Sequence, residues 1–160
     1  MRPPQKLNEK APDEAKSLQL LQKWADGKTT LREVRGYTDE ELYAIAKVAY
    51  VYYFQGRIPE ARTLFQGLYA VNPAEPYFAK ALGVVEFAAG NPQGALAAWD
   101  VALKLAPDDP AAWVGRAEVK LASGQKGAAA EDLKRAAAVC KAEDPLMGKI
   151  NALIAGLNRK

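Results

Sequence analysis

Histidine does not occur in this 160-residue sequence. Its absence removes the commonest general base, the commonest metal ligand and every histidine-dependent triad. The one cysteine, Cys140, then has no imidazole to activate it and reads as a buried structural thiol. Asp108 and Asp109 have the form of a carboxylate pair, but Pro110 follows them. Asp109 is better placed as a helix N-cap with the proline at the first helical position, and Asn91-Pro92 repeats that logic. Gly83, Gly90 and Gly94 make no phosphate loop, since no strand and no Gly-Lys-Ser/Thr accompanies them. No metal set, cofactor motif or catalytic constellation survives, so an enzyme is not expected. What remains is non-covalent chemistry. Tyr43, Tyr50, Tyr53, Tyr77 and Phe87 offer large rings, and tyrosine adds a hydroxyl that can bond a peptide backbone.

These rings are positioned by a repeat. Gly56, Gly90 and Gly124 lie 34 residues apart, as do Ala61, Ala95 and Ala129, and the bulky Phe65, Trp99 and Leu133. Pro73 and Pro107 follow the same step. Starting at Leu42, Pro76 and Pro110 gives three units, 42–75, 76–109 and 110–143. Each reads as a helical hairpin: a first helix ending at the glycine, a short turn, and a second helix opening near Pro59 or Pro92. Small residues at position 8 (Ala49, Gly83, Ala117) and position 20 let the paired helices approach, while Phe65 and Trp99 wedge between hairpins. The residues match the tetratricopeptide pattern of 34-residue period. Unit three is the weakest copy, with Arg116 at an apolar position and Lys141 in place of the terminal proline.

The fold expected is all-α, a tetratricopeptide-repeat superhelix of three hairpins with segments at both ends. Residues 13–36 form an N-terminal helical segment, in which Leu18, Leu21 and Trp24 make an apolar stripe ended by Gly27. A short turn around Leu31 and Val34 ends at Gly36, and Thr38-Asp39-Glu40-Glu41 has the form of a capping box opening unit one. Residues 145–160 form a capping helix over the open end of the stack, and residues 1–12 are expected to be loose.

On each first helix, positions 4, 7, 8 and 11 are expected to face the core. At about 100° per residue, positions 2, 5, 9 and 12 share a face turned roughly 120° away, which lines the inner groove. In unit one the core set is Ile45, Val48, Ala49 and Tyr52, and the groove set is Tyr43, Ala46, Tyr50 and Tyr53. Unit two contributes Tyr77, Lys80, Val84 and Phe87 to the groove, and unit three Ala111, Val114, Glu118 and Leu121. Only Lys80 and Glu118 among these are charged. The helix from Leu42 to Phe54 is apolar almost all round, so its second stripe needs a partner. That partner is either the N-terminal helix folded over the tyrosines or an extended apolar peptide. Tyr50→Ala or Tyr53→Glu is expected to weaken peptide binding while leaving the fold intact. The Lys, Asn and Arg clamp with which some tetratricopeptide domains hold acidic C-termini is replaced here by Ala46, Tyr50, Ala81, Ala111 and Gly115.

A net charge of +3 without a dense basic run gives no reason to expect nucleic acid. A single cysteine suits a reducing compartment, and Met1-Arg2-Pro3-Pro4-Gln5-Lys6 has no apolar stretch of a signal peptide behind it. No apolar run approaches the roughly 20 residues of a membrane helix, so direct membrane insertion is not expected and a cytoplasmic location is.

The run from Leu42 to Gly56, Leu-Tyr-Ala-Ile-Ala-Lys-Val-Ala-Tyr-Val-Tyr-Tyr-Phe-Gln-Gly, resembles the first repeat of the class II (translocator) chaperones of bacterial type III secretion. Gly27 through Leu31 resembles the stretch before that repeat, and Phe65-Gln66-Gly67-Leu68 its Phe-Gln-x-Leu signature. Leu82-Gly83 and Ala117-Glu118 resemble its later repeats. The resemblance spans residues 15–142. It implies a cytosolic chaperone that keeps two hydrophobic translocator proteins soluble and secretion-competent without ATP. It places an extended client segment over Tyr43, Ala46, Tyr50, Tyr53, Tyr77, Val84 and Phe87, and a homodimer contact within residues 13–36. Val119 stands where the family often has cysteine, and Lys80 where a client would meet unit two. The competing reading is a general tetratricopeptide adaptor for another cell-envelope assembly.

Overall fold

The computed structural model describes residues 14–157, all of whose regular elements are helices. The expected loose segment 1–12 and the last three residues lie outside the described residues. The described residues fall into two compact units, parted after Thr38.

The first unit holds α1 (Glu14–Ala25) and α2 (Leu31–Arg35). Gly27 and Gly36 follow them with φ of 69° and 72°, a left-handed turn that a side chain would resist. A capping box opens α2: Glu33 N–H donates to the Thr30 hydroxyl, and Thr30 N–H donates back to the Glu33 carboxylate. Leu18, Leu21 and Trp24, expected as a packing stripe, are exposed.

The second unit comprises α3 (Asp39–Phe54), α4 (Ile58–Val71), α5 (Pro76–Ala88), α6 (Pro92–Leu105), α7 (Pro110–Ala122), α8 (Lys126–Val139) and α9 (Pro145–Leu157). The hairpins are α3–α4, α5–α6 and α7–α8, stacked through α4 on α5 and α6 on α7, with α9 packed on α8 and α7. Helix α3 opens three residues before Leu42, directly after Thr38. Asp109 accepts hydrogen bonds from the N–H groups of Ala111 and Ala112, and Asn91 from that of Gly94, with prolines at the next position as expected. The position-8 and position-20 residues are buried in all three hairpins, and Phe65, Trp99 and Leu133 pack above them.

Two buried carboxylates anchor ion-pair networks, Glu86 between the first two hairpins and Asp132 within the third. Glu86 on α5 accepts from Arg62 Nε (2.8 Å) and Gln66 Nε2 (3.0 Å) on α4, and from Asn91 Nδ2 (2.7 Å). Burial pushes its pKa up, but those three donors outweigh burial and hold it below the ordinary carboxylate value. Asp132 on α8 accepts from Arg116 Nε (2.9 Å) and Nη2 (2.7 Å) and pairs with Lys120 at 2.7 Å. Arg116 also reaches Asp100 on α6 at 2.6 Å. The residue that made unit three look irregular is thus the link among α6, α7 and α8.

The core set expected for α3 needs correction. Ala49 is buried and Tyr52 half-buried, but Ile45 and Val48 are exposed, and Leu42 and Ala46 take the core instead. The three position-10 valines give the reason. Val85 and Val119 are 0% and 1% exposed because α4 and α6 cover them, whereas Val51 is 52% exposed. Within its own unit α3 is the first helix of the stack, so that face has no preceding hairpin.

Candidate peptide-binding groove

Helices α3, α5 and α7 carry the groove. Tyr43, Tyr50, Tyr53, Tyr77, Val84, Glu118 and Leu121 are half-buried and Phe87 is exposed. Ala46 and Val114 are corrections: both are buried, Ala46 beside Phe65, Phe78 and Ala81, and Val114 beside Ala136, Cys140 and Ile150. Short side chains at position 5 end inside the packing, and only the long Lys80 reaches outward there. Leu121 lies apart, against Ala117, Ala129 and Leu133.

Tyr43, Tyr50, Tyr53 and Tyr77 belong to one connected set of rings. Tyr43 meets Tyr77 at 5.3 Å between centroids, Tyr50 meets Tyr77 at 6.3 Å, and Tyr50 stands edge-on to the buried Phe65 at 4.9 Å. Phe54, which the four-position rule missed, stacks on Tyr50 at 6.2 Å and stands edge-on to Tyr53 at 5.4 Å. It is 80% exposed, and its place four residues after Tyr50 was the available signal. Burial, the neighbouring Tyr77 and a hydrogen bond to it push the Tyr50 hydroxyl up to about 12. Burial, then the Glu75 carboxylate, also raises Tyr43. Tyr50 is therefore a packing residue as well as a groove residue, so its replacement by alanine touches the fold.

Both groove charges are neutralised inside the chain. Lys80 Nζ lies 2.5 Å from Asp109 Oδ2, the same carboxylate that caps α7, and Glu118 Oε1 lies 2.8 Å from Lys149 Nζ on α9.

A cavity of about 320 Å³ opens between the three helices, lined by Tyr53, Val84, Phe87, Ala88, Trp99, Gly115, Glu118 and Val119. Four of these eight were expected; Ala88, Trp99, Gly115 and Val119 were not. Trp99 belongs to the outer helix α6, yet its indole passes between the inner helices to the cavity wall. Glycines make room for it. A Cβ at Gly83 would lie 2.8 Å from Trp99 Cε2 and Nε1. One at Gly115 would lie 2.6 Å from Cη2 and 2.7 Å from Cε2. The buried Trp99 Nε1–H has no acceptor among the described residues, a cost of about 1–3 kcal/mol.

Cys140 is buried, and burial with the nearby Asp144 carboxylate raises its thiol pKa, so it holds a poor nucleophile. No group of three or more His, Cys, Asp or Glu among the described residues could hold a metal ion. No helix among them is long and apolar enough to cross a membrane.

Paired helices of 34-residue period with an aromatic inner face define a helical-repeat scaffold. The tetratricopeptide repeat family model matches residues 47–110 and, in a second placement, 81–145, together more than half of the sequence. The chain belongs to the tetratricopeptide repeat family. No curated protein matches it. Among solved structures it is similar to the Yersinia enterocolitica type III secretion translocator chaperone SycD (TM-score 0.75, 20% identity, covering 80% of this chain and 98% of that one). It is also similar to SycD in complex with a peptide of the translocator YopD (TM-score 0.69, 20% identity, covering 75% and 94%). A third is PcrH, a Pseudomonas aeruginosa protein, in complex with the chaperone binding region of PopD (TM-score 0.71, 19% identity, covering 76% and 94%). At these identities the likeness is one of fold.

Proposed function

We propose that this chain is a cytoplasmic chaperone of bacterial type III secretion that holds an extended apolar segment of hydrophobic translocator proteins along the inner face of α3, α5 and α7. The observation that carries the reading is the electrostatics of that face. Its rings are exposed enough to touch a ligand, and both of its charges are spent on Asp109 and Lys149. An apolar strand can then dock without leaving a buried charge unpaired. Solved proteins of the same fold carry translocator peptides, which supports the choice of client class. Catalysis has no part in this role; the work is sequestration. Each ring covered contributes roughly 1.5–3 kcal/mol before ordering costs, so three or four anchors give micromolar binding as an order of magnitude.

The uncovered face of α3, with Ile45, Val48 and Val51, and the exposed Leu18, Leu21 and Trp24 of α1 support a homodimer that uses residues 13–36. The test of function is co-expression with a type III translocator protein that carries long apolar segments. A translocator chaperone keeps such a protein in the soluble fraction and co-elutes with it. Co-elution only with proteins lacking long apolar segments would transfer the chain to the adaptor class.

A further inference from the structure

At every step along the inner row α3, α5, α7 and α9, a groove side chain reaches across to the next helix. Tyr43 on α3 donates its hydroxyl to Glu75, the cap of α5. Lys80 on α5 meets Asp109, the cap of α7, at 2.5 Å, and Glu118 on α7 meets Lys149 on α9 at 2.8 Å. The first step has other support, since the rings of Tyr43, Tyr50, Tyr77 and Phe78 also pack there. Farther along, α5 and α7 stack chiefly through α6, and α7 and α9 chiefly through α8. Past Lys80, the space between α5 and α7 holds a cavity in place of packed side chains. The two ion pairs are therefore direct links where direct packing is sparse. Asp109 is a fixed anchor, because its Oδ1 accepts from the N–H groups of Ala111 (2.9 Å) and Ala112 (3.3 Å) while Oδ2 takes Lys80. A pull from Lys80 is thus delivered to the first turn of α7. At the same repeat position, Ala46 and Val114 are too short to reach across.

We propose that Lys80–Asp109 and Glu118–Lys149 are positioning pairs that set the spacing of α5, α7 and α9, and with it the width of the groove that receives the client segment. The inference rests on the reading of the groove as a client site. It goes beyond neutralising charge, because apolar residues at 80 and 118 would leave an uncharged groove more simply. All four side chains are partly exposed, so the pairs add little to stability. Their contribution is geometric: a row already at its working spacing leaves less ordering cost to binding.

The test uses variants of the full chain. The neutral cut, Lys80→Met, Asp109→Asn, Glu118→Gln and Lys149→Met together, removes both pairs, leaves the groove uncharged and keeps a cap on α7. Spin labels at Gln55→Cys and Ala152→Cys, exposed sites on α3's end and on α9, report the span of the row by double electron–electron resonance, with Cys140→Ala removing the native thiol. The neutral cut is expected to widen the distance distribution and to lower the amount of a co-expressed hydrophobic translocator that co-elutes roughly three- to tenfold, with helicity by circular dichroism unchanged. Lys149→Glu alone is expected to widen the distribution too, and adding Glu118→Lys to it is expected to restore the narrow one. A neutral cut with the parent's distribution, or one that holds translocator as well as the parent or better, overturns the inference. So does a reversed pair that fails to narrow the distribution. If the neutral cut loses helicity, Lys80→Met with Asp109→Asn carries the same two readouts. The spin labels need no client, so the two readings fail separately. A parent chain that holds no translocator sinks the chaperone role, and the distance distributions then decide alone whether the pairs set the spacing.

Discussion

Replacing Tyr50 separates packing from binding more sharply than any other change in the groove. A wholly buried ring cut back to alanine costs about 3–5 kcal/mol. Tyr50 is half-buried, standing edge-on to Phe65 at 4.9 Å, so its share of packing is about 2–3 kcal/mol. Its hydrogen bond to Tyr77 adds about 0.5–1.5 kcal/mol. Tyr50→Ala should therefore lose about 3 kcal/mol, and at roughly 2–4 °C per kcal/mol for a chain of this size the melting temperature should fall by about 6–12 °C. Tyr50→Phe keeps the ring and should lose only about 1 kcal/mol. Phe54→Ala removes a ring that is 80% exposed and should stay within about 0.5 kcal/mol of the parent while weakening client binding. Thermal and urea unfolding followed by circular dichroism measure all three, with co-elution of client as the second readout. A Tyr50→Ala variant melting within about 2 °C of the parent would refute the ring's place in the packing. A Phe54→Ala variant that binds client as before would remove Phe54 from the groove.

Absorbance titration at the tyrosinate band should show one tyrosine ionising near pH 12. Because that folded-state pKa lies above the unfolded value near 10, Tyr50's contribution is complete below pH 10 and is lost as pH rises toward 12; a flat stability profile across that window contradicts it. Glu86 has the opposite sign: its lowered pKa contributes stability above the ordinary carboxylate value and loses it as pH falls through the folded-state value, so Glu86→Gln should flatten acid unfolding. Asp109→Asn keeps a cap on α7 but frees Lys80, so it should cost little stability and weaken apolar client binding several-fold; unchanged affinity would show that the pairing is incidental. Deleting residues 1–36, or placing lysine at Val48, should lower the mass measured by light scattering while client binding persists, and an unchanged mass would count against a dimer through those surfaces.

The hairpins were legible because their signals are local and repeated. Gly56, Gly90 and Gly124 share φ of 75°, and the Asn91 and Asp109 caps with their prolines need only neighbouring residues. Face assignment was less legible, since it depends on what lies across the interface. Ile45 and Val48 have core chemistry, but α3 is the first helix of its unit and nothing in that unit covers them. Ala46 and Val114 sit at groove positions by angle and are too short to reach the surface. The role of Arg116 was hidden because Asp132 and Asp100 lie 16 residues away on other helices. Trp99 is expected from the repeat to wedge between hairpins, and it is buried. Its second role needed the distances to Gly83 and Gly115, whose meaning no single-residue pattern carries.

The most direct measurement is hydrogen exchange on the complex purified from cells that co-express a hydrophobic translocator protein, compared with the chain alone. The account expects added protection in α3 and α5, concentrated at Tyr43, Tyr50, Tyr53 and Tyr77, with α4 and α6 unchanged. Protection confined to the outer helices, or no change in α3 and α5 while the complex persists, would contradict a client held along the inner face.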